Sequence, residues 1–151
     1  MLRRAVTGDA AAIAATHVQC HAETYAPVFG AGYAAPDLAG RLALWTDILA
    51  RPAILHVADM EGRIVGFGHA EGAEITTLYL RRSHHRRGLG RELLTLLLRD
   101  LAAAGHADAR FNVLAANQPA IDFYLAQGAR LVGTVMMDDA LDHIYALSTA
   151  A

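Results

Sequence analysis

Arg81-Arg82-Ser83-His84-His85-Arg86-Arg87-Gly88-Leu89-Gly90-Arg91, hereafter the basic segment, holds five of the 13 basic residues of the chain and no acidic residue. Residues 74–80, just before it, have the composition of a strand, and the apolar spacing of a helix follows from Glu92. The first turn of a helix has unpaired N–H groups and a partial positive charge, and glycine lets a phosphate approach the backbone. The sequence therefore predicts that the basic segment binds a pyrophosphate.

The composition is typical of one folded domain over residues 1–151, since 54% of the residues are apolar and 19% are charged. The formal net charge of -2 disfavours a nucleic-acid-binding protein, so the basic segment is a local feature of a mildly acidic chain. Cys20 is the only cysteine, which excludes a disulfide within the chain, and we expect it to be a buried apolar residue. The sequence shows neither a signal peptide nor the run of about 20 apolar residues that a membrane span needs. We therefore expect a cytoplasmic protein.

Apolar spacing, caps and turn residues predict one strand, two helices, three strands, a helix, a strand, a helix and two strands. The predicted strands span residues 2–6, 54–58, 63–70, 74–80, 109–114, 130–137 and 143–147. The predicted helices span residues 10–26, 36–50, 92–104 and 117–128. Pro27 is expected to end the first helix and open a loop to residue 35, and Asp138-Asp139-Ala140 is a predicted turn. Because a helix joins residues 74–80 to residues 109–114, these strands should be parallel neighbours in one mixed α/β sheet.

The basic segment does not match the two common glycine-rich nucleotide loops. A dinucleotide-binding turn needs a third glycine where Leu93 stands, and a P-loop needs a Gly-Lys-Ser/Thr run that this chain lacks. A structural turn with solvated charges remains an alternative. A surface for DNA or another anionic partner is a further alternative, although the chain has no second basic cluster.

The run from His85 to Leu94, after Leu78-Tyr79-Leu80, resembles the acetyl-CoA signature of the GCN5-related N-acetyltransferases (GNAT). That signature is Arg/Gln-x-x-Gly-x-Gly/Ala at a strand-to-helix turn. A second signature of the family is matched by Asn117-Gln118-Pro119-Ala120-Ile121-Asp122-Phe123-Tyr124 and Gly128, and the order of elements fits over nearly the whole chain. Two positions depart from the pattern: His85 stands where Arg or Gln is usual, and Ala129 stands where an aromatic residue is common.

The resemblance implies an α/β fold with a single mixed, mostly antiparallel central sheet, helices on both faces, and a splayed parallel pair at residues 74–80 and 109–114. It implies an N-acetyltransferase that moves the acetyl group of acetyl-CoA directly to a primary amine of a small-molecule or peptide acceptor. No metal, nucleic acid or membrane is expected to take part. The alternative is a non-catalytic acyl-CoA-binding or regulatory module. Residues 130–137 and 143–147 could form the edge of a homodimer.

The resemblance also implies roles for individual residues. Tyr124 matches the general acid, since a tyrosine with its ordinary pKa of about 10 is protonated at neutral pH. Glu74 stands where a glutamate deprotonates the amine, often through water, in some branches of the family; the alternative is a solvated residue at a hairpin turn. His69 and Asp59 are weaker candidates for the base, and many members of the family use no dedicated base. A backbone N–H near Leu80 is the expected donor to the oxyanion. The implied acetyl-CoA contacts are Leu78, Tyr79, Leu80, His85, Arg86, Arg87, Gly88, Leu89, Gly90, Arg91, Asn117 and Tyr124.

Two further groups of residues bear on the acceptor and on metals. The resemblance implies that the region around Tyr25, Phe29 and Tyr33 shapes the acceptor site, which would then be aromatic. His17 and His21 lie four residues apart, a spacing that can chelate zinc, but no third ligand has a suitable spacing. Alternation along the predicted strand at 74–80 puts the even-numbered residues, Glu74 among them, on one face and the odd-numbered residues on the other.

Overall fold

Seven strands and four helices make up the computed structural model, which describes residues 1–137 and 140–150. The strands are β1 (Leu2–Arg4), β2 (Ile54–Met60), β3 (Arg63–Glu71), β4 (Glu74–Leu80), β5 (Asp108–Leu114), β6 (Arg130–Met137) and β7 (Ala140–Ser148). The helices are α1 (Ala10–Phe29), α2 (Leu38–Leu49), α3 (Leu89–Ala103) and α4 (Gln118–Ala126). Asp138 and Asp139, in the predicted turn before β7, lie outside the described residues.

The strands form one sheet in the order β1-β2-β3-β4-β5-β7-β6. Its neighbouring strands are antiparallel apart from β4 and β5, which confirms the predicted mixed, mostly antiparallel sheet. Within the described residues, β4 and β5 pair only where Glu74 lies opposite Arg110. The strands separate beyond that point, so the predicted splay opens toward their C-terminal ends.

Helices cover both faces of the sheet. Leu97 of α3 and Ile121 of α4 belong to the core on one face, whereas Ile13 of α1 and Trp45 of α2 belong to the core on the other. Gly68 of β3 lets α3 approach the sheet closely, because a side-chain carbon at this position would lie only 2.8 Å from Leu97 Cδ1. Among the residues that the structure describes, no helix is long and apolar enough to span a membrane.

The first helix corrects one prediction. α1 passes through Pro27 and ends at Phe29, followed by a turn of 3-10 helix at Gly30–Gly32, so the prediction that Pro27 ends the helix is wrong. Proline lacks the N–H that would bond to the carbonyl oxygen of Glu23, one turn earlier. That oxygen accepts a hydrogen bond from Arg82 Nη2 at 2.6 Å instead. The helix continues because another part of the chain replaces the missing donor.

A β-bulge in β4 corrects the predicted alternation. Ile75 pairs with Ala70 of β3 and Thr77 pairs with His69, so Thr76 between them has no partner on β3. Ile75 and Leu78 therefore both pack on the face that carries α3, whereas Tyr79 packs on the face that carries α1 and α2. Strict alternation puts Ile75 and Tyr79 on the same face, which is wrong because one extra residue shifts the register.

Candidate active site

The basic segment connects β4 to α3 through two left-handed residues. A turn of 3-10 helix spans Arg82–His84, and α3 begins at Leu89. Arg86 has a φ of 63° and Gly88 a φ of 80°. Glycine adopts this conformation freely, whereas arginine adopts it at a cost in free energy. The chain thus turns sharply between the end of the strand and the start of the helix.

Six consecutive backbone N–H groups, from Arg86 to Arg91, are free in this turn. None of them donates a well-formed hydrogen bond to another group within residues 1–137 and 140–150. They belong to the turn and to the first turn of α3, where the helix dipole places a partial positive charge. The arrangement is a cradle for an anion, and five arginines lie in or beside it. We call the N–H groups of residues 86–91 the anion cradle.

His85 ties the start of the anion cradle to the end of β4. Its Nε2 lies 2.7 Å from the carbonyl oxygen of Leu80. A carbonyl oxygen only accepts, so Nε2 carries the proton. A contact from this ring to a bound phosphate therefore has to come from Nδ1.

The backbone of β4 presents free groups to the splay. The N–H of Arg81 donates to the carbonyl oxygen of Val65 at 2.8 Å, so Arg81 bonds toward β3. Bonding alternates along an antiparallel pair, and Leu78 and Leu80 therefore direct their N–H and C=O groups away from β3. On that side β5 has moved away, so these groups have no strand partner among the described residues. An extended ligand could pair with this edge.

Three phenols meet at the splay, one each from α1, β4 and α4. Burial raises the pKa of Tyr124, and the nearby Tyr25 raises it further. Burial also raises the pKa of Tyr79, to which the neighbouring Tyr25 adds. Burial raises the pKa of Tyr25 as well, although its contact with Tyr79 opposes this. All three hydroxyls therefore keep their protons at neutral pH, and we call Tyr25, Tyr79 and Tyr124 the phenol cluster.

Packing fixes the ring of Tyr124. It is 9% exposed and lies against Phe111 of β5, with 4.3 Å between the ring centroids. Its hydroxyl makes no hydrogen bond with another described residue. Phe123, the preceding residue, faces the anion cradle, since a side-chain carbon at Gly90 would lie 3.8 Å from Phe123 Cζ. α4 thus places one aromatic ring beside the cradle and a free phenol at the splay.

Asn117 caps α4. Its Oδ1 accepts a hydrogen bond from the N–H of Ala120 at 3.3 Å. The cap uses the oxygen and leaves the amide NH₂ without a partner among the described residues. Asn117 lies seven residues before Tyr124, about two helical turns away. Its predicted contact with the cofactor stays a prediction.

Glu74 lies at the closed end of the splay. It is the first residue of β4, opposite Glu71 across the hairpin and beside Arg110 of β5. The carboxylate is exposed and forms no ion pair with a described residue. The position is accessible to a ligand, and the role of Glu74 as a base stays a prediction.

The alternative bases differ in their surroundings. Asp59 accepts from Arg3 Nε at 3.1 Å and from the N–H of Gly62 in the β2–β3 turn. It lines a cavity together with His84 and Arg87 of the basic segment, and its role as a base stays a prediction. His69 is buried against Trp45, and its Nδ1 lies 2.5 Å from Thr76 Oγ1 at the bulge. Burial lowers the pKa of His69, which is therefore neutral at pH 7.

The aromatic residues predicted for the acceptor site form a continuous surface on α1. His21 lies against Tyr25 with 4.5 Å between ring centroids, and Tyr25 lies 6.3 Å from Phe29. Tyr33 closes the group through its hydroxyl, 2.9 Å from His21 Nδ1. Sequence analysis did not single out Asp142 of β7, whose charge raises the pKa of Tyr25 from across the cleft. In the sequence only the family resemblance pointed to this surface, and the predicted loop at Phe29 is helix in the structure.

The remaining candidates have structural roles. Trp45 Nε1 donates to His17 Nδ1 at 3.1 Å inside the core, and burial lowers the pKa of His17 to about 4. Burial raises the pKa of the Cys20 thiol to about 12, so it is not a nucleophile. Within the described part of the chain, no three His, Cys, Asp or Glu residues are grouped to hold a metal ion.

Comparisons with known proteins agree with this geometry. The model of the acetyltransferase (GNAT) family matches residues 20–129. An N-acetyltransferase from Staphylococcus aureus Mu50 is 22% identical with a TM-score of 0.79, and the match covers 99% of this chain and 98% of that one. The PaiA N-acetyltransferase from Thermoplasma acidophilum, solved in complex with coenzyme A, is 16% identical with a TM-score of 0.79 and 98% coverage of both chains. A putative acetyltransferase, YncA from Salmonella typhimurium, solved with acetyl-CoA, is 20% identical with a TM-score of 0.73, covering 100% of this chain and 94% of that chain. No curated protein matches the sequence.

Proposed function

Because the chain belongs to the acetyltransferase (GNAT) family, we propose that it transfers the acetyl group of acetyl-CoA to a primary amine of a small-molecule or peptide acceptor. The observation that carries this proposal is that the anion cradle directly follows the end of β4, whose edge is free at the splay. A pyrophosphate at residues 86–91 and an amide-containing arm along Leu78 and Leu80 match the two ends of coenzyme A.

The residues present fit acetyl-CoA. The N–H groups of the cradle suit the pyrophosphate, and the arginine side chains around them add positive charge. Leu78 offers a backbone donor and acceptor and Leu80 a backbone donor, since the carbonyl oxygen of Leu80 already accepts from His85. The amide NH₂ of Asn117 can supply another donor. When bound, acetyl-CoA supplies an activated acetyl group. The solved relatives that contain coenzyme A or acetyl-CoA support this assignment.

Tyr124 is the proposed general acid. Burial raises its pKa, so Oη keeps its proton at neutral pH, and the hydroxyl has no partner among the described residues that would hold this proton back. A buried and fixed phenol can donate its proton with little reorganisation. Tyr25 and Tyr79, whose pKa values are also raised, keep the surroundings of Tyr124 uncharged.

Glu74 is the proposed base. An alkyl ammonium group has a pKa of about 10.4, so the acceptor has to lose a proton before it can attack. Glu74 is an unpaired carboxylate at the start of the strand that lines the splay, and it can accept that proton directly or through water. The aromatic surface of Tyr25, Phe29 and Tyr33 lies on the acceptor side, where an aromatic face attracts a cation.

The expected assembly and location complete the proposal. The chain would act as a single domain over residues 1–151, and its buried free cysteine fits the reducing cytoplasm. β6 is an edge strand of the sheet, and we infer that two copies pair along it. Its exposed apolar side chains are Leu131, Val132, Met136 and Met137.

An assay of thiol release tests the function. Purified protein is mixed with acetyl-CoA and a panel of amines that includes amino acids, polyamines, peptides and aminoglycosides, and products are identified by mass spectrometry. Release of thiol together with an acetylated amine is the expected result. Binding of coenzyme A without turnover on any amine would overturn the proposal in favour of an acyl-CoA-binding module. Salt-sensitive binding to DNA without binding to coenzyme A would overturn it in favour of a nucleic-acid binder.

A further inference from the structure

Glu23 of α1 holds Arg82 of the basic segment at two points. The N–H of Arg82 donates to Glu23 Oε1 at 3.0 Å, and Arg82 Nη2 donates to the carbonyl oxygen of Glu23 at 2.6 Å. One residue of the helix thus accepts from both the backbone and the side chain of one residue of the turn. We call this pair of hydrogen bonds the Glu23–Arg82 clamp.

Pro27 makes the second bond of the clamp available. In an unbroken helix the carbonyl oxygen of Glu23 would accept from the N–H of residue 27. Proline has no N–H, and its ring also crowds the carbonyl group one turn earlier. The carbonyl group of Glu23 is therefore open to the guanidinium group of Arg82, within a helix that extends two residues past Pro27.

The same helix faces the basic segment on one side and the acceptor on another. Arg81 Nη1 donates to Gln19 Oε1, so a second arginine of the segment contacts the side of α1 that carries Glu23. Tyr25 and Phe29, which follow the clamp by two and six residues, form the aromatic surface on the acceptor side. A movement of Arg82 would be transmitted to Tyr25 because both are held through one rigid turn of helix.

The clamp also lies next to the anion cradle. Arg82 precedes Arg86 by four residues, and His85 fixes the chain between them to the end of β4. A bound pyrophosphate would order the N–H groups of residues 86–91 and, through the short turn at Arg82–His84, the clamp itself. The chain through the turn at Arg82–His84 and the Glu23–Arg82 clamp thus link the anion cradle to the helix that carries the aromatic surface.

We propose that Glu23 and Arg82 are positioning residues that couple occupancy of the anion cradle to the arrangement of the acceptor surface on α1. The proposal rests on the proposed function, since it takes coenzyme A as the ligand of the cradle. Coupling is reciprocal, so the acceptor site forms fully once the cofactor is bound, and a bound acceptor in turn tightens the cofactor.

Hydrogen–deuterium exchange with coenzyme A alone tests the coupling without knowledge of the acceptor. In the wild-type chain, coenzyme A should slow amide exchange at residues 86–91 and also at residues 24–29, the latter at least about fivefold. In Arg82→Ala, at a concentration of coenzyme A raised until the cradle is saturated, the slowing at residues 86–91 should persist, and that at residues 24–29 should fall below about twofold. Arg63→Ala is the matched control, because Arg63 is exposed and makes no side-chain bond to a described residue.

Pro27→Ala separates coupling from helix stability. Alanine restores the N–H that competes with Arg82 for the carbonyl oxygen of Glu23, and it also favours the helix. If the clamp is merely structural, coenzyme A should slow amide exchange at residues 24–29 as much in Pro27→Ala as in the wild type, or more. If the clamp couples the two sites, the ratio of the exchange rate without coenzyme A to the rate with it should be smaller in Pro27→Ala. Protection of residues 24–29 that is unchanged in both Arg82→Ala and Pro27→Ala would overturn the clamp. No protection at residues 86–91 in the wild type would overturn the proposed function, and the clamp with it.

Discussion

His85 donates from Nε2 to the carbonyl oxygen of Leu80 across 2.7 Å, and this bond joins the last residue of β4 to the first residue of the cofactor signature. Arg or Gln is usual at this position in the signature. The histidine ring therefore bonds to the backbone of its own loop, and the N–H groups that follow it stay free for the proposed ligand. The departure from the signature leaves the anion cradle intact.

Replacement of His85 should weaken cofactor binding without affecting chemistry. His85→Ala removes one hydrogen bond that orders the cradle, which corresponds to a rise of roughly twofold to tenfold in KM for acetyl-CoA with kcat unchanged. His85→Gln retains a donor and should stay close to the wild type. His84→Ala is the control, because among the described residues the His84 ring forms a hydrogen bond only with the neighbouring Ser83 hydroxyl. A fall in kcat with constant KM would contradict this role.

Removal of the Tyr124 hydroxyl should affect turnover alone. Tyr124→Phe keeps the ring packed on Phe111 and removes the proton donor, so kcat should fall about a hundredfold, with little change in the dissociation constant of coenzyme A. Tyr145→Phe is the matched control, since Tyr145 is equally buried and its hydroxyl bonds to His143 at 3.2 Å. Unchanged turnover in Tyr124→Phe would remove Tyr124 from the mechanism.

Loss of the Glu74 carboxylate should lower kcat/KM by a factor that depends on pH. Glu74→Gln should lower kcat/KM about a hundredfold at pH 7, because the acceptor amine is then protonated and needs a base. The defect should shrink toward pH 9, as more of the amine, with a pKa of about 10.4, is already neutral. Glu71→Gln, across the hairpin, serves as the control. A defect that is the same at both pH values would mean that Glu74 acts by other means than proton removal.

Local signals in the sequence explain which parts of the site could be predicted. The glycine-containing turn of the basic segment and the cap at Asn117 depend on neighbouring residues, and the structure contains both. α3 begins at Leu89, a few residues before its predicted start at Glu92. Pro27 and Thr76 show where local rules fail. Pro27 stays inside a helix because Arg82, 55 positions further along the chain, supplies the missing donor. The bulge at Thr76 depends on how β4 pairs with β3, which alternation within one strand does not reveal.

The phenol cluster and the aromatic surface depend even more than the helix at Pro27 on contacts between distant parts of the chain. Tyr25, Tyr79 and Tyr124 come from three elements, and their proximity could not be predicted without the fold. His21, Tyr25 and Phe29 share one face of a helix only because α1 passes through Pro27, whereas the sequence predicted a loop at Phe29. The charge of Asp142, which reaches Tyr25 from β7, gave no signal in the sequence.

Acid should destabilise the fold through His17. Burial lowers its pKa from about 6.5 to about 4, and Trp45 donates to its unprotonated Nδ1. Below about pH 6.5 the unfolded chain binds a proton that the folded chain refuses until about pH 4, so stability falls as the pH decreases across this window. The loss is up to about 1.4 kcal/mol per pH unit.

His17→Gln isolates this effect. Glutamine offers Trp45 an acceptor and does not titrate, so the variant should lose less stability than the wild type between pH 7 and pH 5. Denaturant unfolding at the two pH values measures the difference. His21 and His69, whose pKa values are also lowered, contribute equally to both proteins and cancel. An equal loss in wild type and variant would contradict the assignment of the acid sensitivity to His17.

The exposed edge at β6 should be covered by a second copy of the chain. An unpaired edge strand rich in apolar side chains promotes association, and Met136 is 63% exposed there. Light scattering should give twice the 16.1 kDa of one chain, and Met136→Glu should give the monomer, because the dimer would bury a charge from each copy. Leu38→Glu, at an apolar position on α2 that is 53% exposed, should leave the dimer intact. A wild-type chain that stays monomeric at micromolar concentration, or a dimer that persists in Met136→Glu, would exclude pairing along β6.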